Sequence, residues 1–239
     1  MIFPDFLDGP QITDGDLVRF TFGDADLTLR LPVIPNYENR RDRVSSIKDF
    51  SVIEFDDWRH FGDDGECAKK IVYQGWIYED TVSHDDIAEC TLEIEVRKYG
   101  TADEARNFSL NSATFRSHHL ARLTEGFAEF PETRPDWPSD TNNFFAKPIP
   151  LKWVDGLLVQ LDLSARKYPV PVAILPLGRR YYLNISFKFG SLHYRDRKNP
   201  YSDDLLRKMS LDVFDEFLSL IRIDYSPEFL AIIESSNGK

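Results

Sequence analysis

The stretch Cys90–Tyr99 (CTLEIEVRKY) alternates between apolar and charged side chains. Because successive side chains of a strand point to opposite faces of a sheet, Leu92, Ile94 and Val96 share one face and the charged residues between them share the other. Such alternation is typical of an antiparallel sheet that packs one face on a core and turns the other towards water.

A β-hairpin is predicted near the start of the chain. Leu17–Phe22 (LVRFTF) and Leu27–Leu31 (LTLRL) alternate in the same way, and the turn composition Gly23–Asp26 (GDAD) separates them. Four further segments have the composition of strands: Ile71–Tyr78, Leu157–Leu163, Val170–Leu175 and Tyr181–Phe189. A short closing strand is predicted to begin near Ile221.

Two long helices are predicted between these strands. Thr101 and Glu104 form a capping box that would start a helix over Ala102–Leu123. Ser202 is the predicted N-cap of the last long helix. Its apolar stripe at helical spacing comprises Leu206, Met209, Val213, Phe217 and Leu220.

The order of strands, helix, strands and helix predicts an α+β fold with a mainly antiparallel sheet and helices packed on one face. We expect residues 1–239 to form a single domain. Within it, residues 130–150 carry five prolines and are predicted to form a long surface loop, and residues 235–239 a frayed tail.

The net charge of -11 is concentrated in one part of the chain. Residues 1–100 hold 22 acidic and 11 basic side chains, whereas residues 101–239 hold 18 of each. An acidic surface repels nucleic acids and anionic membranes and attracts basic partners. The longest apolar stretch, Val170–Leu177, is too short to span a membrane, and the start of the chain lacks the basic region of a signal peptide. We therefore expect a cytoplasmic protein that binds neither nucleic acid nor membrane.

No residue set with the spacing of a catalytic motif occurs in the sequence. His118 and His119 are adjacent on a predicted helix, where we expect them to form part of a polar face. Cys67 and Cys90 lack further ligands at zinc-site spacing and are predicted to be small buried residues. We expect no metal, no cofactor and no catalysis. A hydrolase or metal-dependent nuclease without a recognisable motif is an alternative.

A dense acidic cluster surrounds two aromatic side chains between residues 56 and 66. Charged residues that enclose exposed aromatics are typical of contact surfaces for protein partners. A loop that only confers solubility, and a loose cation site, are the alternatives. The predicted partner-binding residues are Asp56, Asp57, Trp58, Phe61, Asp63, Asp64 and Glu66.

The last part of the chain resembles a known fold family. Tyr182–Phe187 (YLNISF), a polar loop, and Leu206–Ile223, which ends in FDEFLSLIRI, are similar to the closing strand, helix and short strand of PsbP-like and Ran-binding Mog-family domains. That fold recurs in bacterial immunity proteins that neutralise type VI secretion effectors. The segment Asn36–Asp57 and the proline-rich loop are longer than a minimal domain of this kind needs.

The resemblance implies a PsbP-like fold and a non-enzymatic binding protein. Together with the acidic first part of the chain, it predicts an immunity protein that binds and occludes a basic toxic effector. An adaptor for a partner such as a small GTPase is a further alternative.

Overall fold

The computed structural model describes residues 7–8, 15–31, 49–50, 59–61, 65–100, 108–128, 144–161, 170–191 and 201–237. The strands are β1 (Leu7–Asp8), β2 (Asp16–Thr21), β3 (Ala25–Leu31), β4 (Asp49–Phe50), β5 (Arg59–Phe61), β6 (Glu66–Asp80), β7 (Asp86–Lys98), β8 (Phe144–Ile149), β9 (Gly156–Leu161), β10 (Val170–Pro176), β11 (Tyr181–Ser191) and β12 (Arg222–Tyr225). The helices are α1 (Ser112–Ala128), α2 (Asp203–Ser219) and α3 (Pro227–Asn237), with a 3-10 turn at Phe108–Leu110.

Two sheets organise the described part of the chain. The large sheet has the order β1-β6-β7-β11-β10-β9-β8, and β5 also pairs with β6. The small sheet has the order β12-β3-β2-β4. All pairs are antiparallel except β2 with β4. The predicted α+β class and the mainly antiparallel sheet are therefore confirmed.

The two helices α1 and α2 cover opposite faces of the large sheet. Val172 and Ile174 of β10 pack in the same cluster as Phe115 of α1. Ala173 and Leu175 pack in the core that holds α2. Since successive side chains of a strand alternate between faces, the helices cannot share a face, and that detail of the predicted fold is wrong. The uninterrupted apolar run of β10 reflects burial on both faces.

Helix α2 forms as the sequence predicts. Ser202 is its N-cap, and the Ser202 side chain accepts a hydrogen bond from the backbone N–H of Leu205. The predicted apolar stripe packs on the sheet with one further aromatic, Phe214, whose ring stacks on Phe187 with centroids 5.8 Å apart. The buried stripe residues are Leu206, Met209, Val213 and Phe217.

The small sheet lies on the same side of the large sheet as α2. Phe20 and Leu27 of the predicted hairpin are buried in the core that also contains Ile185 of β11. Strand β12 extends this sheet beside β3, which confirms the predicted closing strand. One face of the large sheet is thus covered jointly by a helix and a second sheet.

Several element boundaries differ from the sequence prediction, among them the start of helix α1. Helix α1 begins at Ser112, where the Asn111 side chain accepts hydrogen bonds from the N–H groups of Ala113 and Thr114. Thr101 and Glu104, the predicted capping box, lie outside the described residues. Asn111 thus takes the capping role at the observed helix start.

The proline-rich loop and the C-terminal tail are also shorter than predicted. Strand β8 occupies residues 144–149 of the predicted loop, and Pro148 is tolerated there because β8 is the outermost strand on its side of the sheet among the described strands. Helix α3 continues to Asn237, so residues 235–237 are helical instead of frayed. Burial of Phe229 and Ile233 beside Val154 holds this helix in place.

Candidate functional site

Most of the predicted acidic cluster lies outside the described residues. This applies to Asp56, Asp57, Trp58, Asp63 and Asp64. The backbone of Phe61 lies in β5, directly opposite Glu66 of β6.

Glu66 lies in the interior, unlike the exposed acidic position predicted for it. Only 3% of its surface is exposed. The Tyr182 hydroxyl donates a hydrogen bond to Glu66 Oε1 over 3.0 Å, and Arg122 of α1 forms an ion pair with Oε2. Pairing with β5 makes Glu66 part of the strand, which directs its side chain towards Tyr182 and α1. Glu66 therefore serves to join α1 to the sheet.

A buried polar cluster continues from this ion pair. Tyr99 Oη lies 3.2 Å from His119 Nε2 and 3.4 Å from Ser109 Oγ. All three side chains are buried. Burial, followed by the nearby charges of His118, Arg122 and Arg97, lowers the pKa of His119 well below its usual value. His119 is therefore neutral at pH 7, and a substrate in solution has no access to it.

The two helix histidines differ from the polar face predicted for them. The His118 ring stacks on Phe108 with centroids 3.8 Å apart. His119 packs edge-on against Phe115 at 4.4 Å. Both rings thus belong to the aromatic packing between α1 and the sheet. The two cysteines, Cys67 and Cys90, are buried as predicted.

The tip of the β6–β7 hairpin is held by one carboxylate. Asp80 Oδ1 accepts hydrogen bonds from the backbone N–H groups of Val82 (2.8 Å) and Ser83 (2.7 Å). Asp80 Oδ2 accepts a hydrogen bond from the Tyr201 hydroxyl. These bonds, with that of Tyr201 the strongest, lower the pKa of Asp80 to about 2. The turn conformation is therefore fixed at neutral pH.

An exposed apolar side chain lies among acidic residues at this tip. Val82 is 85% exposed, the most exposed of the large apolar side chains in the described part of the chain. Residues 79–89 contain five acidic side chains and no Lys or Arg. The sequence shows the acidic composition of this segment, but only the fold shows that it forms a narrow tip with Val82 at its end.

A second candidate site lies on the polar face of the large sheet. A cavity of about 220 Å³ is lined by charged and polar side chains of two neighbouring strands. The lining residues are Glu93, Glu95, Arg97, Asn184 and Ser186. The alternation in Cys90–Tyr99 predicts the exposed charges, but pairing of β7 with β11 is needed to bring Asn184 and Ser186 beside them.

No protein-family model, curated protein or solved structure matches this chain. The resemblance to PsbP-like and Mog-family domains therefore remains a prediction. In the described ranges, no three His, Cys, Asp or Glu side chains converge as metal ligands. None of the helices described is long and apolar enough to cross a membrane.

Proposed function

We propose that this protein is a non-enzymatic binding protein of the cytoplasm that occludes a basic protein partner. More specifically, we propose that it is an immunity protein for a toxic effector. The observation that carries the proposal is the β6–β7 tip, where Val82 stands exposed on a fixed turn surrounded by acidic residues. An apolar contact enclosed by charge has the composition of a protein-binding hot spot.

The fixed turn supports binding because it reduces the entropy lost on association. Asp80 and Tyr201 hold the backbone of Val82 and Ser83 in one conformation. A preorganised loop loses less conformational freedom when it is bound than a flexible one does. Val82 can then contribute through desolvated packing against the partner.

The acidic residues of the tip would act mainly on the rate of encounter. Glu79, Asp85, Asp86 and Glu89 surround Val82 along the hairpin. Charge of one sign steers an oppositely charged partner over about 8 Å at physiological ionic strength. The acidic excess of residues 1–100 adds to this attraction.

The experiment is a capture of partners with the intact protein, followed by binding kinetics and co-expression of each captured partner in a growth assay. Asp85→Lys/Glu89→Lys should slow association and weaken its salt dependence. Val82→Asp should speed dissociation roughly thirtyfold, the equivalent of about 2 kcal/mol at a hot spot. The control is Asp215→Lys/Glu234→Lys, which changes the net charge equally on the exposed sides of α2 and α3.

The predicted cluster at residues 56–66 is tested with the same partner. Asp63→Lys/Asp64→Lys should reduce the association rate, and Trp58→Ala should raise the dissociation rate. A partner whose kinetics and toxicity respond to neither the cluster variants nor the tip variants would contradict the proposal. So would hydrolytic turnover by the purified protein that a single substitution abolishes.

A further inference from the structure

The cavity on the polar sheet face is built from two facing strands. Glu95 lies directly opposite Asn184, and Glu93 directly opposite Ser186. Residues in such cross-strand positions have Cβ atoms about 5 Å apart. The four side chains therefore stand close together, and Arg97 closes one end of the row.

The charges in this cavity already have partners. Glu93 is bound by Lys70 at 2.5 Å and by Lys188 at 3.4 Å. Although burial alone would raise it, the two lysines keep the pKa of Glu93 below its usual value. Arg97 donates to Glu95 Oε2 from Nε (3.2 Å) and from Nη2 (2.8 Å). A charged ligand would have to displace one of these ion pairs before it could bind.

Several hydrogen-bonding atoms remain available beside the ion pairs. Glu95 Oε1, the Asn184 amide and the Ser186 hydroxyl make no hydrogen bond to other described residues. Together they offer both donors and acceptors, since an amide supplies two N–H donors and a carbonyl, and a hydroxyl does both. Such a set suits a ligand whose own groups both donate and accept.

We propose that this cavity binds a neutral polyhydroxy compound of about the size of a monosaccharide. The hydroxyl groups of such a ligand can satisfy Glu95 Oε1, Asn184 and Ser186 without breaking an ion pair. The volume of about 220 Å³ leaves room for a ligand of the size of one sugar ring. Tyr73 lies opposite Glu93 on the neighbouring strand, and Lys70 Nζ covers one face of its ring at 4.8 Å from the ring centre.

The test uses saturation-transfer NMR on the intact protein with glucose, galactose, mannose, N-acetylglucosamine and inositol as neutral probes. Glutamate, arginine and citrate serve as charged probes of similar size. At least one neutral probe should bind with a dissociation constant of about 1 mM or below, and added salt should leave the binding unchanged, because no net charge is neutralised. This site is independent of the proposed protein partner, so either proposal can fail alone.

Two variants connect the binding to the cavity. Asn184→Ala and Ser186→Ala should each weaken the binding of the neutral probe at least tenfold, while the melting temperature stays within the range of the control. The control is Ser117→Ala on the exposed side of α1. Binding of the charged probes alone, binding of no neutral probe, or equal binding by both cavity variants and the wild-type protein would overturn the proposal.

Discussion

Arg179 and Asp24, which are 155 positions apart, join the turns of the two sheets. Arg179 donates to Asp24 from its backbone N–H (2.8 Å), from Nε (3.0 Å) and from Nη2 (2.7 Å). Burial alone would raise the pKa of Asp24, but the hydrogen bonds and charge of Arg179 keep it below its usual value. The β2–β3 turn is thereby fixed against the β10–β11 turn.

Gly178 makes this contact possible, so its replacement should be costly. Its φ is +125°, and an added Cβ would lie 2.3 Å from Asp24 Cβ. Gly178→Ala should lower the free energy of unfolding by about 1–3 kcal/mol or more, as backbone strain and the clash add. Urea denaturation measures the difference. Gly23→Ala is the matched control, because Gly23 also has a positive φ but open space around it, and it should cost less. Equal losses would show that the Asp24 contact is unimportant.

Phe217 tests whether the stripe of α2 supports the core. It is buried together with Phe214 and Val213 against the large sheet. Phe217→Ala should lower the free energy of unfolding by about 3–5 kcal/mol, the range for removal of a buried aromatic ring. Asp215, an exposed residue of the same helix, provides the control, since Asp215→Ala should change the free energy of unfolding by no more than about 0.5 kcal/mol. An unchanged unfolding midpoint in the Phe217 variant would contradict the assigned core.

His119 should make the stability depend on pH. Its folded-state pKa is lowered, so between that value and the usual value near 6.5 the unfolded chain binds more protons than the folded protein. The stability contributed by neutral His119 is therefore fully present above about pH 6.5 and is lost as the pH falls below it. Urea denaturation at pH 8 and pH 5 should show this loss, and His119→Gln should reduce it.

The control for this measurement is Ser117→Ala, an exposed position on the same helix as His119, which should leave the pH dependence as in the wild-type protein. Carboxylates with lowered pKa values, such as Asp80 at about 2, lose their contribution only at lower pH. A loss of stability between pH 8 and pH 5 that is the same in wild type and His119→Gln would contradict the assignment.

Replacement of one partner of the Glu66–Arg122 ion pair should destabilise the fold more than replacement of both partners by apolar residues. Arg122→Leu removes the cation that pairs with the buried Glu66 carboxylate, which also accepts a hydrogen bond from the Tyr182 hydroxyl. We expect a loss of about 3 kcal/mol, the lower end for breaking a buried pair, since the Arg122 side chain is 36% exposed. Glu66→Leu/Arg122→Leu should recover much of this loss in thermal or urea unfolding. A double variant as unstable as the sum of both single variants would argue against coupling.

Sequence patterns predicted the elements whose two sides differ in polarity. The alternation in Cys90–Tyr99 and the stripe from Leu206 to Phe217 each carry their own periodicity, and both correspond to observed elements. Strand β10 lacks such a difference, because helix α1 covers one of its faces and the α2 layer the other. Periodicity alone therefore could not show that the helices lie on opposite sides.

The candidate sites depended more strongly on tertiary pairing. Glu66 was grouped with the acidic cluster because of its neighbours in sequence, yet its contacts are with Tyr182 and Arg122, 116 and 56 positions away. The cavity likewise needs β7 beside β11, a pairing that no local pattern encodes. By contrast, the acidic composition of the turn segment Asp80–Glu89 depends only on neighbouring residues, and it is evident from the sequence without the fold.

Strand β8 affects how molecules of this protein meet in solution. It is the last strand on its side of the large sheet among those described, and it exposes Lys147 and Pro148. Proline cannot donate a backbone hydrogen bond, and a lysine on an edge resists the approach of a second edge carrying the same charge. Edge-to-edge growth of the sheet from one molecule to the next is therefore disfavoured at β8, which protects concentrated solutions of the folded protein against aggregation along this side.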